Sequence, residues 1–174
     1  MSENRSRHPV DLLICELIAG QRQAKPDDIA HIIERIATAP FEPRARRVPL
    51  RERGIAYAGR ALGAREASLF YHLVKRVRIE RQWAVGTSME EYLADLRAAV
   101  RHPLARLALY RERGGHLAAT STPTVEVVPA ARRGARPRDW LLVIYSADRG
   151  IMISGYQYSS LSTARIPGEA QWLK

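Results

Sequence analysis

Three side chains with complementary chemistry fall close together in the sequence. His72, Lys75 and Arg76 stand at i, i+3 and i+4, a spacing that makes them surface neighbours if the segment is helical. Arg78 adds a further cation two residues on. An imidazole beside fixed positive charges has its neutral form favoured, because like charge opposes protonation. A neutral imidazole near pH 7 can act as a general base, and the cations could neutralise a phosphate. The competing reading of this cluster is a solvated polar helix face.

A second set lies near the other end of the chain. The run Ile151-Met152-Ile153-Ser154-Gly155-Tyr156-Gln157-Tyr158 passes from apolar to hydroxyl-rich. If it is a strand, Ser154, Tyr156 and Tyr158 share one face at period two, a row suited to phosphate or sugar contacts. Alternating tyrosines are also ordinary sheet chemistry. Arginines concentrate in two further places. Arg44, Arg46, Arg47, Arg51 and Arg53 lie among Pro40, Pro43 and Pro49, and Arg132, Arg133, Arg136 and Arg138 form a basic loop.

Other chemistries find little footing. The histidines at 8, 31, 72, 102 and 116 share no ligand spacing, and Cys15 is the only cysteine, so no metal site and no cofactor are expected. Cys15 sits in an apolar run and reads as a buried, inert thiol. There is no nucleophile elbow, Walker loop or dinucleotide fingerprint.

Helices must carry the first set and strands the second. Val10, Leu13, Ile14 and Leu17 give an apolar stripe over 9–24. Pro26-Asp27-Asp28 opens a second helix with Ile29, Ile32, Ile33 and Ile36 on one face. Leu69, Phe70, Leu73, Val74 and Val77 define a helix over 64–82. Ser88 and Glu91 form a capping box for another that ends at Pro103. Strands are predicted at 107–111, 116–120, 124–128, 139–146 and 150–158, the last two as a hairpin. The tail from Ser159 is expected to pack loosely apart from Trp172. Helices first and strands afterwards predict an α+β fold with an antiparallel sheet of four to five strands. The expected organisation is a helical hairpin appendage at 1–40, a basic linker at 41–63 and an α+β domain at 64–174.

The chain has 174 residues and a net charge of +10, with 28 basic against 18 acidic residues. A GC-rich genome would explain arginine in place of lysine but not this excess, so a polyanionic partner is expected, nucleic acid first and RNA favoured. No apolar run nears the ~20 residues that span a bilayer, and the N-terminus lacks a signal core. A cytoplasmic protein with no membrane association is therefore expected.

The order of these features resembles the barnase–EndoU–colicin–RelE group of metal-independent ribonucleases, many of them toxins. The resemblance rests on the His and basic cluster on a helix, and on Glu91-Tyr92-Leu93-Ala94-Asp95-Leu96 running to a proline. It continues in a last hairpin with Leu142-Val143-Ile144-Tyr145 and Gly150-Ile151-Met152-Ile153-Ser154-Gly155-Tyr156. It covers residues 64–160. It implies His72 as general base, Ser154 and Tyr156 as strand-borne catalytic partners, and Lys75 and Arg76 as phosphate ligands. Arg78, Tyr158, Arg132 and Arg133 would extend the substrate contacts. The final strand departs from the group by reading Ile-Ser-Gly-Tyr, and no second histidine is clearly placed as general acid, though His102 and His116 are available. A neutralising protein partner could accompany such a toxin. Two other readings stand beside it: a non-catalytic basic nucleic-acid-binding adaptor, and a protein-interaction partner docking through its N-terminal helices.

Overall fold

The computed structural model describes residues 7–42, 67–160, 164 and 166–174. The arginines at 44–53 lie outside these residues. Four main helices come first: α1 (Pro9–Ile18), α2 (Pro26–Thr38), α3 (Ala67–Val74) and α4 (Met89–Arg101). The strands follow: β1 (Arg106–Glu112), β2 (Gly115–Pro123), β3 (Trp140–Ser146), β4 (Ile151–Tyr158) and β5 (Gln171–Trp172). A single helical turn, α5 (Thr124–Val127), separates β2 from β3. The strands form one antiparallel sheet in the order β4-β3-β2-β1-β5, so the fold is α+β as the element order predicts.

The local signals that set the helices are visible. Ser88 accepts from the Glu91 amide at 3.1 Å while the Glu91 carboxylate accepts from the Ser88 amide at 2.9 Å, closing the capping box. Asp28 accepts from the Lys25 amide at the start of α2. The first helix is shorter than the 9–24 expected: it ends at Ile18, just past the last residue of its apolar stripe, followed by Gly20 at φ 71. Between β1 and β2, Arg113 and Gly114 both have positive φ, the two-residue turn whose twist matches a hairpin.

Two strand expectations are corrected. Residues 124–127 form the turn α5, not a strand. Pro123 ends β2 opposite Trp140, and the chain then closes a helical turn, Val128 N–H to Thr124 O at 2.9 Å, with Val125 exposed. The tail does not end loosely: Gln171–Trp172 pairs with Leu109 and Ala108 on β1.

One face of the sheet is covered by helices. Leu107, Leu109, Ala118, Leu141, Val143, Tyr145 and Met152 share a core with Ile14 and Leu17 of α1, Ile32 and Ile36 of α2, and Tyr92, Leu96 and Val100 of α4. The pair α1 and α2, expected as an appendage, is therefore built into the same core as the sheet. A buried polar cluster reinforces this. Asp11 of α1 accepts from the Tyr145 hydroxyl of β3 and pairs with Arg35 of α2 at 2.8 Å. On the other face, Tyr110, Leu117, Ala119, Leu142 and Tyr158 form a smaller cluster, over which Ala164, Ile166 and Ala170 fold back.

The outer edge of β4 is capped group by group. The Met152 amide and carbonyl pair with the backbone of Pro40 and Glu42. The Gly155 carbonyl accepts from Arg76 and Tyr92. The side-chain amide of Gln82 donates to the Gln157 carbonyl at 2.9 Å and accepts from its N–H at 2.8 Å, so Gln82 stands in for a neighbouring strand.

Candidate nucleic-acid interface

The helix cluster does not present a single polar face. After Val74 the helix widens into a π-helical turn, Lys75–Ile79, closed by Glu80 N–H to Lys75 O at 3.0 Å. The wider turn carries Arg76 and Val77 inward together and leaves Arg78 exposed. Regular α-helical spacing does not foresee this, because the register changes within the cluster itself.

Arg76 is buried against β4. Its Nε donates to the Gly155 carbonyl at 2.9 Å, and Nη2 lies 3.4 Å from the Ser154 hydroxyl. Its guanidinium sits 5.0 Å from the Tyr156 ring centroid. The two strand residues share a face, since Ile144 opposes Ser154 and Leu142 opposes Tyr156. Tyr158 joins them opposite Trp140. Arg76 is also neutralised in place: Nη1 contacts both Glu80 carboxylate oxygens at 2.7 Å. Lys75 Nζ lies 3.8 Å from the same carboxylate. Tyr92 donates to the Gly155 carbonyl at 2.6 Å, and burial pushes its phenol up to about 12, with the Arg76 charge pulling the other way.

His72 lies one turn before Arg76, half-buried. Its ring meets Phe41 edge-on at 5.3 Å and Tyr71 at 5.4 Å between centroids. The Tyr156 hydroxyl donates to the Ala164 carbonyl at 2.6 Å.

The basic loop is tied down. Arg132 makes a two-pronged pair with Asp95, which also accepts from the indole of buried Trp83 at 3.1 Å. Arg133 donates to the carbonyls of Val128 and Val125 at 2.9 and 3.0 Å. These two guanidiniums fasten the loop to α4 and α5. Arg136 and Arg138 stay exposed.

A different constellation opens on the sheet face away from α1 and α2. Arg106, Ser121, Trp140, Tyr158, Ser159 and Ser160 line a cleft of about 230 Å³. Arg106 opposes Ser121 across the β1–β2 ladder. Its guanidinium stacks 4.4 Å from the Trp172 ring centroid, and no carboxylate among the described residues pairs with it. Tyr158 and Ser121 share a short hydrogen bond. Burial raises the Tyr158 phenol, opposed by Ser121 and by the Arg106 charge. Of these six residues only Tyr158 was singled out from sequence. Arg106 lies alone in a strand, and the signal that could have found it, an arginine opposite Ser121 and stacked on a distant tryptophan, needs the sheet register.

Sequence reasoning also set Cys15 aside. The structure brings it beside His116 and Asp148, which stand on separate segments. No helix among the described residues is long and apolar enough to cross a membrane. No protein-family model matches the chain, and no curated protein or solved structure is significantly similar to it.

Proposed function

We propose that the chain binds RNA, and that the cleft around Arg106 holds one nucleotide unit. The observation that carries this reading is the Arg106 guanidinium: it is exposed, has no carboxylate partner among the described residues, and lies over the Trp172 ring. A stacked guanidinium can still give its outer N–H groups to a phosphate. Trp140 offers a ring beside it for a base, and the exposed Ser159 and Ser160 place hydroxyls at the cleft's rim for phosphate or ribose oxygens. Aromatic stacking beside a basic groove is how single strands are held, and contacts to the 2′-hydroxyl separate RNA from DNA. The net charge of +10 supplies the long-range attraction. Binding of labelled single-stranded RNA and same-sequence DNA at two salt concentrations tests it. RNA should bind more tightly, and binding should fall steeply with salt. Binding insensitive to salt overturns the reading.

A second reading, a metal-independent endoribonuclease of toxin type, draws on the approach of Arg76 to Ser154 and Tyr156. In it His72 removes the 2′-hydroxyl proton, and the 2′-oxygen attacks the adjacent phosphorus. Lys75, Arg76 and Ser154 stabilise the charge on the phosphoryl oxygens, and Tyr156 or a histidine protonates the leaving 5′-oxygen. The pairing of Arg76 with Glu80 weighs against it, since the guanidinium would have to leave a carboxylate to meet a phosphate. For this reason binding stands first. Cleavage of RNA but not DNA, insensitive to EDTA and lost in His72→Ala, would support the second reading; a neutralising protein partner belongs with it. Docking through the N-terminal helices has less support, because Leu12 is the one exposed large apolar side chain on residues 9–38.

A further inference from the structure

Cys15 comes from α1, His116 from the start of β2 and Asp148 from the turn between β3 and β4. Each offers a ligand atom, and these atoms lie within 4.8 Å of one another. Their orientation is held by neighbours. Asp148 accepts from the His116 backbone N–H at 2.7 Å and faces the ring Nδ1 at 3.0 Å. Arg111 Nη2 lies 3.0 Å from His116 Nε2. A guanidinium can only donate, so Nε2 carries the lone pair and Nδ1 the proton.

A cation already occupies the space between thiol and carboxylate. Arg7 donates through Nη1 to Cys15 Sγ at 3.4 Å, and its Nη2 lies 3.4 Å from Asp148 Oδ1. The contact to Asp148 is long for a charge-assisted N–H···O pair, which closes to about 2.7–2.9 Å when well made. The pocket therefore attracts positive charge without being fitted to a guanidinium.

We propose that Cys15, His116 and Asp148 form a binding site for a thiophilic divalent cation of the zinc class, with water completing the coordination. Sulfur and imidazole donors select zinc over magnesium or calcium, and three protein ligands with one open position is an established zinc arrangement. On binding, Arg7 and Arg111 swing outward, the Cys15 thiol gives its proton to solvent, and the His116 proton passes from Nδ1 to Nε2 by exchange with water, so that the sulfur and the freed Nδ1 lone pair both bond to the metal. The thiolate and carboxylate then balance the two charges of the ion. Because the ligands join α1 to the β2 and β3–β4 end of the sheet, the ion acts as a clamp on the first helix. This proposal is independent of RNA binding.

The test uses the full chain, stripped with EDTA and titrated with cobalt(II), then zinc. The expected result is an equimolar cobalt complex with a thiolate-to-metal charge-transfer band that zinc displaces. Zinc should also raise the melting temperature while magnesium does not. Cys15→Ser should remove the band and weaken binding by more than the ~10–100-fold carried by groups that only support a ligand. Arg7→Ala keeps all three ligands and should bind metal more tightly, because its competitor is gone. Absence of the band in the parent protein, a band that survives Cys15→Ser, or an Arg7→Ala variant that binds no more tightly than the parent, each overturns the site.

Discussion

Arg76 donates its Nε hydrogen to the carbonyl of Gly155, so the helix cation nearest the hydroxyl strand is an anchor for that strand's edge. Its charge is matched by Glu80 and its ring contact is Tyr156. Removing one member of a buried pair costs about 3–5 kcal/mol, and the partial exposure of Glu80 brings the expected loss for Arg76→Met to about 2–3 kcal/mol. Urea unfolding measures it. RNA affinity should change little at a temperature where the variant stays folded. A large loss of RNA binding without loss of stability would shift the balance to the ribonuclease reading.

Tyr92 makes stability fall at alkaline pH. A phenol in the unfolded chain titrates near 10, whereas burial pushes this one up to about 12 in the fold. The folded state holds the proton more tightly, so the contribution is fully present below about pH 10 and is lost as pH rises towards 12. Two units correspond to roughly 3 kcal/mol. Burial also raises Tyr110, Tyr145 and Tyr158, which steepens the same limb. Tyr92→Phe should flatten part of the slope of stability against pH above 10. At neutral pH it should cost about 1 kcal/mol for the lost hydrogen bond to Gly155.

Two glycines separate hard from soft packing limits. A Cβ on Gly134 would lie 2.2 Å from the Arg81 carbonyl oxygen, and one on Gly155 would lie 2.4 Å from Leu96 Cδ2. Backbone cannot rotate aside as a leucine can. Gly155→Ala should cost about 1–3 kcal/mol, the usual range for overpacking, and Gly134→Ala more. Thermal melts of the two variants check the order, and equal losses would contradict it.

The RNA reading turns on Arg106. Arg106→Ala should weaken RNA binding and reduce the slope of log affinity against log salt by about 1, the share of one phosphate contact. Arg132→Ala should instead lower the melting temperature, because Asp95, which also holds the buried Trp83 indole, loses its cation, and leave the slope unchanged. A reversed pattern would move the interface to the loop.

The broad outline was legible because it rests on local periodicity. The apolar stripes of α1, α2 and α4, the Ser88–Glu91 box and the 139–158 hairpin all announce themselves within a few residues. The shared face of Ser154, Tyr156 and Tyr158 followed from period two alone. What was hidden depends on distant partners. The π-turn at Lys75–Ile79 buries Arg76 against the distant Gly155 carbonyl, while its charge is met locally by Glu80 four residues on. Arg132 reads as a free cation until Asp95 is seen opposite it. Arg106 and Cys15 gained chemical neighbours solely through strand register and helix docking. The strand expected at 124–128 failed because Val128 N–H bonds back to the Thr124 carbonyl in a helical turn, a choice that β-propensity does not foresee.

The capped edge of β4 has a consequence for behaviour at high concentration. An uncovered outer strand offers its amides and carbonyls as a template on which another molecule can lay a strand, the first step towards aggregation. Here Pro40 and Glu42, the Arg76–Tyr92 pair and the Gln82 amide already fill those positions at Met152, Gly155 and Gln157. On the far side, β5 pairs with β1 for only two residues, too short a platform for much further extension. Gln82, a single amide imitating a missing strand, is thus also a guard against self-recruitment.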